Sequence, residues 1–543
     1  MTPAAPEPLP SGLTPWPADV AIHYREKGYW DGRTLGSLLA GWADEYGDRI
    51  ALVAGGERLS YRELDRRADR LAAGLAGQGV APGDRVLVQL PNIGPFVVLL
   101  FALARLGAVP VLTLPAHRIT EIGHLARLSQ AVAYVIPDEH AGFDYRDLAA
   151  ALLKEAPDLR HVLVAGAPGP FTALADLDGE PLPLAEPDAA DIALLLVSGG
   201  TTGVPKLIPR THQDYGYNAR ASARACGLSA ETVYLACLPV AHNFALACPG
   251  VLGTFTAGGT VVLSPSPAAG DAFPLIEAER VTITALVPPL IPLWLEAAEW
   301  DPADLSSLRV LQAGGSKLSA EVARAVPGAL GCTVQQVFGM AEGLLNYTAL
   351  DDDPETIATT QGRPLCPDDE LRVVDADGAD VTPGEVGELL VRGPYTLRGY
   401  YRAAEHNATA FTPDGYYCSG DLVRVLPSGH LIVEGRVKDT IDRGGESISA
   451  EEVEAHLLAH PGVRRGAAIG LPDTGRGEQL CAVVVPGGTP PTLQELRVFM
   501  MGRGLAAFKL PDRIETVDEL PVTPVGKIDK RALVRMVSER SPA

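Results

Sequence analysis

The chain has 543 residues, of which 47% are apolar and 21% are charged, and its formal net charge is −22 at pH 7. One hydrophobic core rarely organises so many residues, so we expect at least two domains. The surplus of carboxylates argues against nucleic acid as a partner, because phosphate binding needs an excess of lysine and arginine.

The sequence also argues against a membrane span and a disulfide-based fold. Its longest strongly apolar run, 96–104, is about half the length that crosses a bilayer, and segment 1–17 lacks the features of a signal peptide. The seven cysteines are odd in number and none forms a CxxC pair, which fits a reducing cytoplasm better than disulfides or a zinc site. We therefore expect a cytoplasmic protein that does not bind a membrane.

Helical and strand-like segments alternate through the first 190 residues. Apolar residues recur at helical spacing in 61–75 and 96–106, whereas 85–90 and 109–114 are apolar runs of strand length. The same alternation predicts later strands at 260–263, 283–287 and 308–312. Strands that alternate with helices predict βαβ units and a mostly parallel sheet, so the predicted fold class is α/β.

The pattern changes after residue 345. Short strands predicted at 370–375, 387–392 and 430–434 are separated by Gly, Pro and Asp. This texture favours a small antiparallel or barrel-like part at about 346–436.

A third pattern begins at residue 438, with a helix predicted at 450–459 and strands at 466–471 and 480–485. We therefore predict a large domain at 1–437, which includes the barrel-like part, and a small α+β domain at 438–543.

The sequence SGGTTGVPK at 198–206 directly follows 192–197, an apolar run of strand length. Its glycines allow backbone N–H groups to converge on an anion, and its hydroxyls and lysine add donors and positive charge. The spacing differs from that of a Walker A motif. A flexible surface loop is the alternative, but the preceding strand and the following lysine favour phosphate binding. The candidate phosphate ligands are Ser198, Gly199, Gly200, Thr201, Thr202, Gly203 and Lys206.

SGGTTGVPK resembles the phosphate loop of the adenylate-forming superfamily, which contains acyl-CoA synthetases, adenylation domains of peptide synthetases and beetle luciferases. Four further motifs resemble those of the family and stand in its order. They are FGMAE at 338–342, YCSGD at 417–421, GRVKD at 435–439 with RGGE at 443–446, and PVTPVGK at 521–527. The second has Ser419 where the family usually has threonine.

The resemblance implies ATP and Mg²⁺ as cofactors and an acyl-AMP as the product. Glu342 is then the magnesium ligand, because magnesium prefers carboxylate and phosphate oxygens. Asp421 and Arg436 are expected to bind the ribose. Phe338 is expected to give adenine a flat surface, with backbone approaching the other face at Gly314. The other residues expected to contact the nucleotide are Gly315, Val337 and Gly339.

Lys527 is the expected catalytic residue, because its ammonium can stabilise the negative charge that gathers at the carboxylate and the α-phosphate. In the family the small domain rotates between two half-reactions, and the resemblance places the pivot at Lys438. The stretch AHNFALACPG at 241–250 lies where the family places its acid pocket, and His242 within it is a second catalytic candidate.

Asn243 matches the position at which amino-acid-activating relatives usually carry aspartate for the substrate ammonium. An asparagine brings no charge, and burying an unpaired ammonium is costly. A neutral aromatic ring with an ortho hydroxyl or amino group therefore fits better. The expected acid pocket consists of Asn243, Phe244, Cys248, Gly315, Val337 and Leu345.

The stretches 23–30, 243–250 and 335–348 make the chain most similar to stand-alone aryl-acid adenylating enzymes of siderophore pathways. Relatives that activate 2,3-dihydroxybenzoate typically have serine at Cys248 and valine at Leu345, whereas relatives that activate salicylate have cysteine and leucine. A thiol is a weak partner for a 3-hydroxyl, and Leu345 narrows the pocket. Both residues favour salicylate. The alternatives are 2,3-dihydroxybenzoate, 3-hydroxyanthranilate, 3-hydroxypicolinate and methylated salicylates, and Ala245 replaces the proline usual in this motif.

The acceptor of the acyl group is left open between the phosphopantetheine thiol of an aryl carrier protein and free coenzyme A. Two other functions share some of the motifs: a luciferase-like monooxygenase and a non-catalytic nucleotide-binding protein. The presence of Lys527 together with Glu342 and Asp421 disfavours a protein that only binds nucleotide.

Overall fold

In the computed structural model, the described residues are 12–198, 205–443, 446–473, 477–503, 505, 509–523 and 526–540. The chain forms two compact units. The first contains the chain up to Ala358, Gly362–Glu370 and Arg392–Tyr417. The second contains Thr359–Gln361, Leu371–Val391 and the chain from Cys418 onward.

A nine-stranded sheet is the larger of the two main sheets of the first unit. Its central strands pair in parallel, while three strands at its edges pair antiparallel. In spatial order the strands are Arg363–Pro364, Gly343–Tyr347, Thr333–Met340, Val310–Gly314, Ile283–Leu286, Val233–Ala236, Thr260–Leu263, Ile50–Ala54 and Glu57–Ser60. The parallel pairing confirms the α/β prediction.

A seven-stranded sheet follows the same principle, with one antiparallel pair at its edge. In spatial order its strands are Leu207–Thr211, Ile192–Val197, Val109–Leu112, Arg85–Val88, Ala133–Pro137, His161–Ala165 and Thr172–Ala173. Glu139–His140 and Phe143–Asp144 form a separate two-stranded ribbon.

At several helix ends of the first unit, a side chain or a glycine satisfies the free backbone groups. Ser60 accepts a hydrogen bond from Glu63 N at the start of one helix, and Gly107, with φ +73°, ends another. The helices are Ala18–Glu26, Leu35–Tyr46, Tyr61–Gly77, Gly94–Leu106, Ile119–Ser129, Tyr145–Leu152, His212–Ala225, Asn243–Ala247, Gly250–Thr256, Ala269–Glu279, Ile291–Ala297, Ala320–Leu330, Pro354–Thr359 and Ala404–Ala410.

The second unit contains a four-stranded and a five-stranded sheet. The four strands are, in spatial order, Glu370–Val374, Gly387–Arg392, Tyr417–Val425 and Leu431–Arg436. The five strands are Glu446–Ser449, Thr440–Arg443, Gly477–Pro486 and Val463–Asp473 in spatial order, with Arg513–Thr516 parallel to Gly477–Pro486. The helices are Ala450–Leu458, Leu493–Gly502 and Lys530–Arg540.

Most of the predicted elements are present, and their ends differ by a few residues. The strand predicted at 308–312 is Val310–Gly314, because pairing with Ile283–Leu286 and Thr333–Met340 fixes its register. Leu308 is buried in the core before the strand begins. In the region predicted to be barrel-like, at about 346–436, the structure has a four-stranded sheet.

The division into compact units does not coincide with the domain boundary predicted at 437/438. The four-stranded sheet groups with the C-terminal part of the chain. One reason is local: Ser449 Oγ donates a hydrogen bond to Glu434 O at 2.7 Å, which ties the last strand of that sheet to the start of helix Ala450–Leu458.

Among the described helices, none combines the length and the hydropathy that a membrane span requires.

Two tryptophans near each other in sequence test the packing of the first unit. Trp294 is 1% exposed, its Nε1 donates to Pro267 O at 2.9 Å and its ring packs edge-on against Phe273, whereas Trp300 is 72% exposed. We expect Trp294→Ala to lower the free energy of unfolding by about 3–5 kcal/mol and Trp300→Ala by about 0.5 kcal/mol or less. Guanidinium unfolding followed by far-UV circular dichroism measures both; equal effects would contradict the described core.

Candidate active site

The two ends of the predicted phosphate loop are held together. Ser198 N donates to Lys206 O at 2.9 Å, and Lys206 N donates to Ser198 Oγ at 3.0 Å. These bonds continue the antiparallel pairing of Ile192–Val197 with Leu207–Thr211. The predicted ligands between them, Gly199, Gly200, Thr201, Thr202 and Gly203, lie outside the described residues. Ser198 and Lys206 are therefore held next to each other at the two ends of this motif.

Tyr400 connects the loop lysine to the predicted magnesium ligand. Lys206 Nζ lies 5.9 Å from the centroid of the Tyr400 ring, and Tyr400 OH donates to Glu342 Oε1 at 2.8 Å. The Tyr400 hydroxyl also lies 2.9 Å from Tyr417 OH. Burial, followed by the nearby Glu342 carboxylate, raises the pKa of Tyr400, so the phenol stays protonated and donates.

The backbone that carries Glu342 is held on both sides. Leu397 N donates to Glu342 O at 2.7 Å, and Arg210 Nη1 donates to Ala341 O at 3.1 Å. Arg210 is 1% exposed and forms an ion pair with Asp214, with 2.8 Å between Nε and Oδ1. Because Arg210 lies in the strand that follows the phosphate loop, this contact joins the loop strand to the segment before Glu342.

The predicted nucleotide and acid residues meet at the carboxyl ends of two parallel strands. Gly314 lies beside Val337 in register, and a Cβ added at Gly314 would be 2.8 Å from Cζ of Phe244. Only glycine leaves room there for the Phe244 ring. The next residue, Gly315, has φ +91°, which favours glycine.

The strand Thr333–Met340 then turns back into Gly343–Tyr347. Phe338 pairs with Asn346, and Gly339 pairs with Leu345. A Cβ at Gly339 would lie 2.3 Å from Leu345 Cδ2, so the glycine admits the leucine side chain. The structure thus brings Val337, Phe338, Gly339 and Leu345 together in one hairpin.

Asn243 and Cys248 are buried beside each other at 5% and 1% exposure. Asn243 Nδ2 donates to Cys248 Sγ at 3.4 Å, and Tyr215 OH donates to Asn243 Oδ1 at 2.9 Å. Burial raises the pKa of the Cys248 thiol to about 12, so it stays protonated. The orientation of Asn243 is therefore fixed by a tyrosine that the sequence did not single out.

His242 caps the helix Asn243–Ala247, and its Nδ1 accepts a hydrogen bond from Phe244 N at 3.3 Å. The segment before it is clamped by Asn92. The Nδ2 of Asn92 donates to Leu238 O at 3.0 Å, and its Oδ1 accepts from Val240 N at 2.9 Å. The position of His242 thus depends on a residue far away in sequence.

In the second unit, the two predicted ribose ligands form a pair. Asp421 and Arg436 lie opposite each other in antiparallel strands, with 2.7 Å between Asp421 Oδ1 and Arg436 Nε. Ser419 supports the aspartate, because its Oγ accepts from Asp421 N at 3.1 Å and donates to Leu389 O at 2.7 Å. The serine at this position therefore provides a hydroxyl, as threonine does.

The predicted hinge and catalytic lysines also lie in described backbone. Lys438 is in the 3₁₀ turn Val437–Asp439, and its side chain lies outside the described part. Lys527 has an exposed side chain and follows a tight turn. In that turn Lys527 N donates to Thr523 Oγ1 at 3.2 Å, and Gly526 has φ +79°.

Comparison with known proteins identifies the family. Residues 39–401 match the family described as AMP-binding enzyme, and residues 452–527 match the AMP-binding enzyme C-terminal domain. The chain belongs to the AMP-binding enzyme family. This confirms the resemblance that its ordered motifs indicate, and the adenylate-forming enzymes of this family use ATP.

Relatives and a solved structure match nearly the whole of this AMP-binding enzyme. It is 55% identical to the 2,3-dihydroxybenzoate-AMP ligase of Bacillus subtilis, over 97% of the chain and 98% of the relative. It is also 55% identical to the salicyl-AMP ligase / salicyl-S-ArCP synthetase of Mycobacterium tuberculosis, over 97% and 94%. The apo structure of MbtA from Mycobacterium smegmatis is 53% identical, with a TM-score of 0.76 and coverage of 96% and 98%.

Several residues that shape the site of this AMP-binding enzyme were not predicted from its sequence. Tyr400, Arg210 and Tyr215 each contact a predicted residue or its immediate neighbour. Arg210 follows the phosphate loop closely, and its charge within the apolar strand Leu207–Thr211 was an available signal. Tyr400 carried no such signal, because its partner Glu342 is distant in sequence.

His212 predicts a pH dependence for the stability of this AMP-binding enzyme. It is 1% exposed, its Nδ1 accepts from Leu35 N at 3.1 Å, and burial lowers its pKa to about 4. The unfolded chain has the ordinary histidine value, so this contribution is fully present above about pH 6.5 and is lost as the pH falls towards 4.

We expect the free energy of unfolding to fall by about 3 kcal/mol across this window because of His212. His212→Asn keeps a neutral acceptor and should flatten the dependence between pH 6.5 and 4. Denaturant unfolding at several pH values measures it, and parallel curves for the two proteins would contradict the assignment.

Proposed function

We propose that this enzyme activates a small aromatic acid with an ortho hydroxyl or amino group, using ATP to form the aryl-AMP and release pyrophosphate. Salicylate is the first candidate acid. The observation that carries the proposal is the convergence of the loop lysine Lys206 and the carboxylate of Glu342 on one tyrosine, Tyr400. A cation beside a phosphate-binding loop and a carboxylate suited to magnesium are the two groups that ATP requires.

In the first half-reaction an oxygen of the acid's carboxylate attacks the α-phosphorus of ATP. The new C–O–P linkage forms as the bond between the α-phosphorus and the bridging oxygen breaks, and pyrophosphate leaves with that electron pair. Nucleotidyl transfer of this kind depends mainly on positioning and charge neutralisation. Lys206 and the loop around it hold the β- and γ-phosphates, and Lys527 stabilises the charge at the carboxylate and the α-phosphate.

Glu342 offers the hard oxygen donor that Mg²⁺ prefers. A bound Mg²⁺ would neutralise phosphate charge. The hydrogen bond from Tyr400 fixes one carboxylate oxygen, and the contacts of Leu397 and Arg210 fix the backbone that carries it. In the second unit, the paired Asp421 and Arg436 are the proposed ribose ligands.

The acid pocket supports a neutral aromatic ring. Among the described residues, the side-chain partners of Asn243 are the neutral groups of Tyr215 and Cys248, and a buried ammonium without a carboxylate partner would be costly. Asn243 Nδ2 can donate to an ortho oxygen. Cys248 and Leu345 favour salicylate over 2,3-dihydroxybenzoate, because a thiol is a weak partner for a 3-hydroxyl. The two named relatives are equally similar to the chain, so 2,3-dihydroxybenzoate is an alternative acid. A second alternative is 3-hydroxyanthranilate, because an asparagine side chain can face an amino group as well as a hydroxyl.

The second half-reaction passes the aryl group to a thiol. The thiolate attacks the acyl carbon, the carbon–sulfur bond forms, and AMP leaves with the oxygen. We propose the phosphopantetheine arm of an aryl carrier protein as the acceptor, because the name of one relative includes salicyl-S-ArCP synthetase. Coenzyme A is the alternative acceptor, and an assay with each thiol distinguishes them.

ATP–pyrophosphate exchange tests the activity and the role of Lys527. We expect exchange with salicylate above benzoate, a fatty acid and phenylalanine. Lys527→Ala should lower kcat by roughly 100-fold or more with little change in the KM of the acid, because the lysine acts on charge that develops during reaction. The exposed Lys154→Ala serves as the control. Absence of exchange with every aryl acid, in folded protein that binds ATP, would overturn the proposal.

A second variant tests the link between Tyr400 and Glu342. Tyr400→Phe removes the hydrogen bond to the carboxylate but keeps the ring beside Lys206, so we expect roughly a tenfold rise in the Mg²⁺ concentration for half-maximal exchange. Tyr416→Phe is the matched control, since Tyr416 OH donates to Glu370 at 3.0 Å in an equivalent bond. If both variants need the same Mg²⁺ concentration for half-maximal exchange, Tyr400 does not contribute to Mg²⁺ binding.

A further inference from the structure

The helix His212–Ala225 has a polar face that is buried throughout. Tyr215, Asn218 and Ser222 have the spacing i, i+3, i+7, which places them on one side of a helix. Their exposures are 0%, 1% and 0%. Buried polar side chains are expected to have hydrogen-bond partners.

Two members are satisfied by other side chains. Tyr215 OH donates to Asn243 Oδ1 at 2.9 Å, and Ser222 Oγ accepts from Tyr347 OH at 3.0 Å. Asn218 is different. Its Nδ2 donates to Ala247 O at 2.7 Å, but its Oδ1 is buried and has no hydrogen-bond partner among the residues that the structure describes.

Reversing the Asn218 amide would not satisfy its oxygen. Reversal would place Oδ1 against the Ala247 carbonyl and would exchange a hydrogen bond for the repulsion of two acceptors. A buried acceptor without a donor carries a free-energy cost, which a bound donor would remove. The Asn218 oxygen is therefore a position for a hydrogen-bond donor, and no described residue supplies one.

Asn218 lies beside a residue of the proposed acid pocket, Cys248. Its partner Ala247 directly precedes Cys248, and the Cys248 thiol interacts with both Asn218 and Tyr347. Asn243 Nδ2 donates to the same thiol at 3.4 Å. Asn218 and Asn243 therefore both approach Cys248, Asn218 from the helix His212–Ala225 and Asn243 from the helix Asn243–Ala247.

We propose that Asn218 is a specificity-determining residue whose Oδ1 accepts a hydrogen bond from a ring hydroxyl or ring amino group of the aromatic acid. This inference rests on the proposed function. It assigns complementary tasks to the two asparagines: Asn243 Nδ2 donates to a ring substituent, while Asn218 Oδ1 accepts from one. An acid with no donor on its ring leaves the Asn218 oxygen unsatisfied and is disfavoured for that reason.

Asn218→Leu tests this assignment, because leucine has nearly the same shape and no acceptor. The measurement is kcat/KM in ATP–pyrophosphate exchange for salicylate, 2,3-dihydroxybenzoate, 3-hydroxyanthranilate and benzoate. We expect kcat/KM for the preferred hydroxy- or amino-substituted aromatic acid, divided by kcat/KM for benzoate, to fall roughly 10- to 100-fold. The value of kcat/KM for benzoate itself is expected to be unchanged or raised. Asn218→Ala provides a second variant with the same expected direction if leucine does not fit.

Ser222→Ala is the matched control on the same helical face. Its partner is Tyr347 within the protein, so we expect it to change all four acids by a similar factor. A uniform loss in the Asn218 variants, or no change in the ratio to benzoate, would overturn the inference while wild-type exchange upholds the proposed function. Wild-type protein that exchanges with no acid would overturn the proposed function itself, and the inference with it.

Discussion

A buried ion pair connects the parts of the chain that are proposed to bind the nucleotide and the aromatic acid. Arg210 and Asp214 are 1% and 5% exposed, and charges taken out of water must be paired and hydrogen-bonded. Asp214 also accepts a hydrogen bond from Thr211 N at 2.8 Å, at the start of the helix His212–Ala225, and Arg210 Nη1 donates to Ala341 O. The pair therefore fixes the strand Leu207–Thr211, the helix His212–Ala225 and the segment before Glu342 relative to one another.

Tyr400 completes this arrangement with a neutral group. A phenol can present its ring face to an ammonium and its hydroxyl to a carboxylate, and Tyr400 does both, with Lys206 and Glu342. Tyr400 therefore lies between a cationic and an anionic group of the proposed nucleotide site.

The sequence predicted the elements and motifs because both depend on local order. Apolar periodicity located the strands, and the hairpin residues Phe338 and Leu345 stand close together in one motif. It did not predict the start of the strand Val310–Gly314, which pairing with neighbours determines. Nor did it predict Tyr400 or Asn218. The roles proposed for these two residues depend on partners that are distant in sequence and come near only in the folded chain. Local sequence patterns therefore do not indicate those partners.

Because its two strands are pleated, the hairpin 333–347 places successive side chains on opposite faces. Val337 and Leu345 lie on one face, together with Tyr347, while Phe338 lies on the other. A substitution at Leu345 therefore changes the face that carries Val337 and Gly339, while the Phe338 face proposed for adenine stays on the opposite side. Because of the pleat, positions 338 and 345 can vary separately, one on each face of the hairpin.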